Sequence, residues 1–407
     1  MANNVANVDD VTDAISGVAL VDRAARTAHQ MPALQNMPTN MLRSHLHRMP
    51  VEASAVAESA VHDELVGDPD NGSSFAAVGR IVVGAGAITA MATNAFDGRV
   101  FVANYAADSV SVLDGHTLAV VSTITGTPEP YGLALARGRT YVSTVVGSHD
   151  AVTVTDAESV VATHALADTV QDIAVDREGR RVYAARTGRD GADIAVIDTA
   201  TSDVSTIDIG SGPGEVANGL SISGDGRRLI LATTDQLGGR LVVVDISSLR
   251  VMDALTVAEP VRGLAFSHDG NAVWVATDGL ANKDDTTGGL VDLVDLRSRR
   301  VLGTVEVGGP VRQLMLSAVG DRVYVVTPEA VLVIDTGICQ VVDTIDIGVE
   351  PSCVTESADG SRLYVADFDG RVALFSVAST TRSLLARMST PEVLTGPNVR
   401  ELERVSV

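Results

Sequence analysis

From Ala76 to Ala378 the chain alternates short apolar runs with polar turns, and the runs have strand length. Ser357–Asp367 reads S-A-D-G-S-R-L-Y-V-A-D, and variants of it recur upstream. Ser223–Thr233 is S-G-D-G-R-R-L-I-L-A-T, Ser267–Thr277 is S-H-D-G-N-A-V-W-V-A-T, and Ser317–Thr327 is S-A-V-G-D-R-V-Y-V-V-T. Asp176–Arg186, Asp97–Asn104 and Arg137–Thr144 carry shorter forms. The anchor glycines are Gly98, Gly138, Gly179, Gly226, Gly270, Gly320 and Gly360.

Their spacing, roughly 40–50 residues with strands only, predicts an all-β, seven-bladed β-propeller. Each repeat supplies a small apolar strand a, an Asp-Gly turn expected to be a two-residue hairpin, and a strand b such as Ala272–Ala276. Strand c follows (Leu241–Asp245 is typical), then an outer strand d such as Val341–Gly348. Complete blades are expected at 88–125, 131–166, 171–209, 218–257, 262–307 and 312–347. The last repeat has strands a to c, at about 353–357, 361–366 and 371–377, but no strand d. An orphan segment of strand d type, Val78–Gly84, precedes the first repeat. The ring is therefore expected to close three-plus-one, which removes the open edges of an unclosed array.

The expected organisation is a partly helical or loose extension at 1–75, the propeller at 76–378 and a tail at 379–407. Helical spacing in Val8–Gln30 and Val51–Val66, and a short helix at Thr381–Met388, are part of that expectation. A docking arm is the sharper reading of the extension.

The strands R-V-Y-V at 322–325, L-Y-V-A-D at 363–367, V-F-V-A-N at 100–104 and I-A-V-I-D-T at 194–199 resemble the YVTN-type (YncE-like) β-propeller repeat. The resemblance covers about residues 77–378 and implies the fold. Members include surface-layer-like antigens, periplasmic proteins and propellers beside redox enzymes, and some are reported to bind nucleic acid. The alanine- and valine-rich, lysine-poor composition resembles an actinobacterial or mycobacterial member.

Charge narrows the function classes. The formal net charge is −22 and aromatics make up 3%, which disfavours both phosphate attraction and base stacking. The acidic N-terminus lacks the basic and apolar regions of a signal peptide, and no apolar run is long enough to span a membrane. A cytoplasmic monomer is the resulting expectation. The two cysteines, Cys339 and Cys353, fall near opposite faces and are not expected to pair.

Propeller ligands are expected where strands a begin. In register these residues are Ile88, Tyr131, Gln171, Asn218, Arg262, Arg312 and Ser352. All but Ile88 are taken as ligand-binding candidates. Arg262 and Arg312, on adjacent blades, could clamp a carboxylate or phosphate. Alternatively they pair with Glu259 or Asp292. Uneven b–c loops are expected at Asp278–Gly289, Arg186–Asp193 and Val145–Asp150. Asp114, Asp156, Asp198, Asp245, Asp295 and Asp335 end strand c at one repeated position, which predicts turn capping. No metal site, cofactor or catalytic residue is expected. The leading function is a non-catalytic scaffold for a protein partner or small ligand. The alternatives are a lactonase- or lyase-like propeller enzyme and a nucleic-acid binder.

Overall fold

The computed structural model describes residues 73–146, 149–257, 259–278, 288–378 and 400–401. The helical expectations for 1–72 and Thr381–Met388, and most of the longest b–c loop, lie outside them. Among the described residues there are seven antiparallel sheets of four or five strands. The innermost strands are Ile88–Thr93, Gly132–Ala136, Thr169–Val175, Val216–Ile222, Val261–Phe266, Gln313–Leu316 and Pro351–Glu356. Each touches its neighbours on both sides, and the last touches the first, so they form a closed ring.

The closing blade is built as three-plus-one. Phe75–Val82 pairs antiparallel with Arg371–Val377, from Phe75 opposite Val377 to Val82 opposite Arg371. Residues 400–401 add a short fifth strand outside Arg300–Glu306 in blade 5.

Burial explains the sequence pattern. The core is divided into layers between neighbouring blades. Tyr183, Ala185 and Ile194 of blade 3 pack on Leu220, Leu229 and Leu231 of blade 4, for instance. Strands b and c are covered on both faces and so read as nearly continuous apolar runs. Strand d has only one covered face, and Arg300–Glu306 alternates strictly between exposed and buried.

In three blades the tyrosine of the repeat joins its neighbour through its hydroxyl. Tyr141 donates to the Gly179 carbonyl of blade 3 at 3.1 Å, and Tyr324 donates to Glu356 of blade 7 at 2.6 Å. Burial raises the Glu356 pKa.

The underside of the ring repeats one solution. Asp114, Asp198, Asp245 and Asp335 each accept hydrogen bonds from groups two and three residues on, as turn capping predicts. Asp156 and Asp295 accept from Ser159 and Ser298 in the same way. These bonds lower the pKa of Asp114, Asp156, Asp198, Asp245 and Asp295, in Asp245 to about 2 through Ser247 and Ser248. Five of these turns place a non-glycine residue at positive φ: Leu118, Ser202, Leu249, Arg299 and Cys339.

The Asp-Gly turns depart from the two-residue hairpin. Ser223 N–H bonds to the Arg228 carbonyl, Gly226 N–H to the Ser223 carbonyl, and the Ser223 hydroxyl to Asp225 at 2.6 Å. Only Gly226 takes positive φ there. The serine hydroxyl holds the aspartate, so a four-residue loop wins over the tighter one.

Candidate functional site at the mouth of the ring

The upper face is built from the first residues of the inner strands, where most blades carry a β-bulge. Register breaks leave Thr89, Gln171, Asn218, Arg262 and Ser352 as the extra residue. In blades 2 and 6, Tyr131 and Arg312 take this place, donating their N–H to Ser143 and Val326, which pair with the following residue. A bulge re-aims the side chain it carries. Six sequence-derived candidates therefore share one structural position. The seventh register residue, Ile88, is off by one. It lies fully buried in the layer between blades 7 and 1, and Thr89 holds the mouth position. Ile88 and Thr89 look equivalent in a strand pattern until the bulge is located.

Blade by blade, the mouth residues do different things. Thr89 donates to the Pro130 carbonyl at 2.7 Å. Tyr131 is buried and donates to Asp150 at 3.0 Å, while Asp150 also accepts the Val170 N–H at 2.7 Å. Desolvation, then the nearby Asp150 charge, pushes the Tyr131 pKa well up, so it acts as a neutral donor. Desolvation also raises Asp150. Ser352 is buried, 3.8 Å from the Cys353 sulfur. Both cysteines are free thiols, and burial pushes Cys353 up to about 12.

Arg312 is engaged by its own blade neighbour. It ion-pairs with Glu350, donates to the Pro351 carbonyl at 3.1 Å and lies 5.0 Å from the Phe368 ring centre. Its acid is thus Glu350, not Glu259 or Asp292, because the link into strand a brings residue 350 beside it. Asp292 accepts from Thr304.

Gln171 and Asn218 differ from the rest. The Gln171 Oε1 and Asn218 Oδ1 atoms are enclosed and have no hydrogen-bond partner. Next to Gln171, Asp172 Oδ2 crosses to blade 4 and accepts the Leu220 N–H at 2.8 Å. Its Oδ1 accepts the Ile173 N–H at 2.8 Å. Burial pushes Asp172 up to about 6, against those two bonds. The group is closely surrounded by protein but keeps partial solvent exposure, which moderates the cost of its charge.

A second polar tier closes strand b: Asn104, Thr144, Arg186, Thr233, Thr277, Thr327 and Asp367, all buried. Arg186 binds Asp193 through two bonds of 2.8 and 2.7 Å. Residues 186 and 193 are cross-strand partners, not the ends of a loop as expected, because the strands continue to Gly188 and Gly191.

No protein-family model matches the chain. A seven-bladed β-propeller protein of Mycobacterium tuberculosis is 32% identical over 338 residues, covering 75% of this chain and 85% of the relative. The chain belongs to this seven-bladed β-propeller family. A second member, from Mycolicibacterium smegmatis, is 41% identical over 69 residues, 17% of this chain and 19% of its own. The fold also resembles Kuenenia stuttgartiensis hydrazine synthase, with TM-score 0.64, 18% identity, 73% of this chain and 97% of that one covered. The β-propeller domain of Myceliophteria thermophila Cps50 (Swd1) gives TM-score 0.60 at 14% identity, over 73% and 99%. At these identities the two structures speak for fold alone.

Within the family fold, Asp172 and the strand b tier are the residues that sequence reasoning missed. Asp172 had a signal. The residue after the bulge is Ala90, Gly132, Gly219, Gly263 and Cys353 in five blades, and an acid there breaks the pattern. Among the described residues no three His, Cys, Asp or Glu side chains gather as a metal site. No described helix is long and apolar enough to cross a membrane.

Proposed function

We propose that this chain is a non-catalytic scaffold of the YVTN-repeat kind, which receives a protein partner or a small ligand on the mouth face. One contrast carries the reading. On the underside, the same aspartate caps the same turn in blade after blade. At the mouth, the equivalent bulge residue is Thr, Tyr, Gln, Asn, Arg, Arg and Ser in turn. Repetition at one blade position serves the fold, whereas variation over a rigid frame is how such folds acquire specificity. A protein partner and a small ligand are both compatible with a polar, recessed rim. The alternative as a lactonase- or lyase-like enzyme calls for Arg262, Arg312, Asn218 and Gln171 to converge, and the engagement of Arg312 by Glu350 weighs against it. The net charge of −22 weighs against nucleic acid.

The test is affinity capture from native lysate with the full chain and with a form lacking residues 1–70, which keeps the closing strand Phe75–Val82. Recovery of the same partner with both forms is the expected result. Recovery with the full chain alone moves the binding surface to the N-terminal extension and contradicts the mouth-face reading.

A further inference from the structure

Every blade ends in an outer strand d, and the far edge of such a strand presents backbone N–H and C=O groups that can pair with another strand. Six blades bend that edge with a bulge. The extra residues are Val78, Val121, Val161, Met252, Leu302 and Val342, and all six are exposed. A bulge twists an edge away from further pairing. Among the described residues, only the sheet of blade 5 nevertheless carries a fifth strand. Its occupant comes from the C-terminal segment of the same chain. Glu401 lies opposite Arg300 and Arg400 opposite Val301, antiparallel, and the ladder ends where the Leu302 bulge begins.

Charge singles out blade 5. Its c–d turn and the first residue of its strand d read Leu296-Arg-Ser-Arg-Arg300. The same stretch is Ile246-Ser-Ser-Leu-Arg250 in blade 4 and Thr336-Gly-Ile-Cys-Gln340 in blade 6. In blades 1, 2 and 3 the residue at the Arg300 position is Ala119, Ser159 or Asp203. Arg299 is held beside the edge by Asp253 of blade 4, at 3.1 Å. The arriving segment reads Arg400-Glu-Leu-Glu403, so acids come to the most basic outer edge. Opposite charges directly across a strand pair favour that register, and like charges oppose it.

We propose that the outer edge of blade 5 is a strand-docking site whose occupant is the chain's own C-terminal segment, selected by the Arg300–Glu401 pairing. In strand addition the backbone bonds supply affinity and alternate side chains supply specificity. Chain length permits the docking within one molecule. At about 3.3 Å per residue, residues 379–399 reach up to about 70 Å. One blade of four strands about 4.8 Å apart lies between the last blade and blade 5, and that reach exceeds it. The site is on the rim and does not depend on the mouth-face reading. An extended segment of another protein gains this edge only by displacing the tail.

Paired cysteines test the site in the full chain. Arg300→Cys with Glu401→Cys, and separately Val301→Cys with Arg400→Cys, are oxidised with diamide in dilute solution. Non-reducing electrophoresis and peptide mass mapping read the products, and the map separates these links from any that involve Cys339 or Cys353. Both pairs are expected to close within one chain, because directly opposed strand residues stand about 4.5–5.5 Å apart at Cα, within disulfide range. Arg250→Cys with Glu401→Cys moves the partner to blade 4 and is expected to stay open. Adding Arg300→Glu to the Val301→Cys, Arg400→Cys pair should slow closure about threefold or more, and adding Glu401→Arg as well should restore it. Closure between chains would assign the edge to a second copy and overturn the proposal. Failure of both pairs to close, equal closure on blades 4 and 5, or charge reversal without effect would overturn it too.

Discussion

The Tyr364 hydroxyl of the last blade donates to the Gly115 carbonyl of the first at 2.6 Å, across 249 residues of sequence. Tyr141 makes the same kind of bond from blade 2 to blade 3. At Tyr141, Tyr324 and Tyr364 the repeat tyrosine fastens neighbouring blades, and at Tyr364 it fastens the ring closure, whereas the buried Tyr183 hydroxyl makes no such bond. Tyr364→Phe keeps the buried ring and removes the donor, leaving the carbonyl without it. The expected loss is about 1 kcal/mol in urea denaturation, the usual net worth of one such bond. No loss would mean that the closure is held by strand pairing and packing alone.

Asp172 makes stability pH-dependent in a defined direction. Its pKa is about 6 in the fold against an ordinary 3.8, so the folded state keeps the proton to higher pH. Stability from this group is full below about pH 4 and falls as pH rises to about 6, then levels. Other acids titrate in the same range, so the quantity to measure is the difference between wild type and Asp172→Asn. That difference should grow over pH 4–6 in favour of the variant, with an upper bound of about 3 kcal/mol set by about 1.4 kcal/mol per pH unit. Solvent contact at the mouth will hold the observed value below that bound.

Ser202 is exposed and holds φ at 63°, with its N–H bonded to the Asp198 carbonyl. A residue with a Cβ pays for the left-handed conformation, and glycine does not. Ser202→Gly should raise stability by about 0.5–1 kcal/mol, read from the denaturation midpoint. An unchanged or lower midpoint would show that the serine side chain supports the turn.

Arg312 is expected to matter for folding more than for binding. Its side chain is 9% exposed and bound to Glu350, the Pro351 carbonyl and the face of Phe368. Arg312→Ala leaves Glu350 without its partner and should cost about 1–3 kcal/mol. Loss of ligand or partner binding at unchanged stability would restore it as a recognition residue.

The fold was legible because one glycine turn and one apolar strand recur in every blade, and because Val78–Gly84 is an unpaired outer strand that only the last blade can use. The capping role of Asp198 and Asp245 was legible for the same reason. The mouth was legible only in part. Gln171, Asn218 and Arg262 were found by counting along strand a, and the count failed at Ile88 because a bulge adds a residue that a two-residue period cannot show. The partner of Arg312 depends on how the link at Glu350 crosses to the next blade, and nothing local encodes that crossing. Asp172 departs from a run of small residues, a signal visible only once the seams between blades are known.

The central claim is that one face serves the fold and the opposite face serves recognition. The direct measurement applies two readouts to two variant sets. One set replaces the caps Asp198, Asp245 and Asp335 with alanine, and the other replaces Gln171, Asn218 and Arg262. Thermal midpoint and capture of the partner recovered with the wild type are read for both. The account predicts that the cap set lowers the midpoint and keeps the partner, while the mouth set keeps the midpoint and loses the partner. A mouth set that retains the partner at full recovery would contradict it.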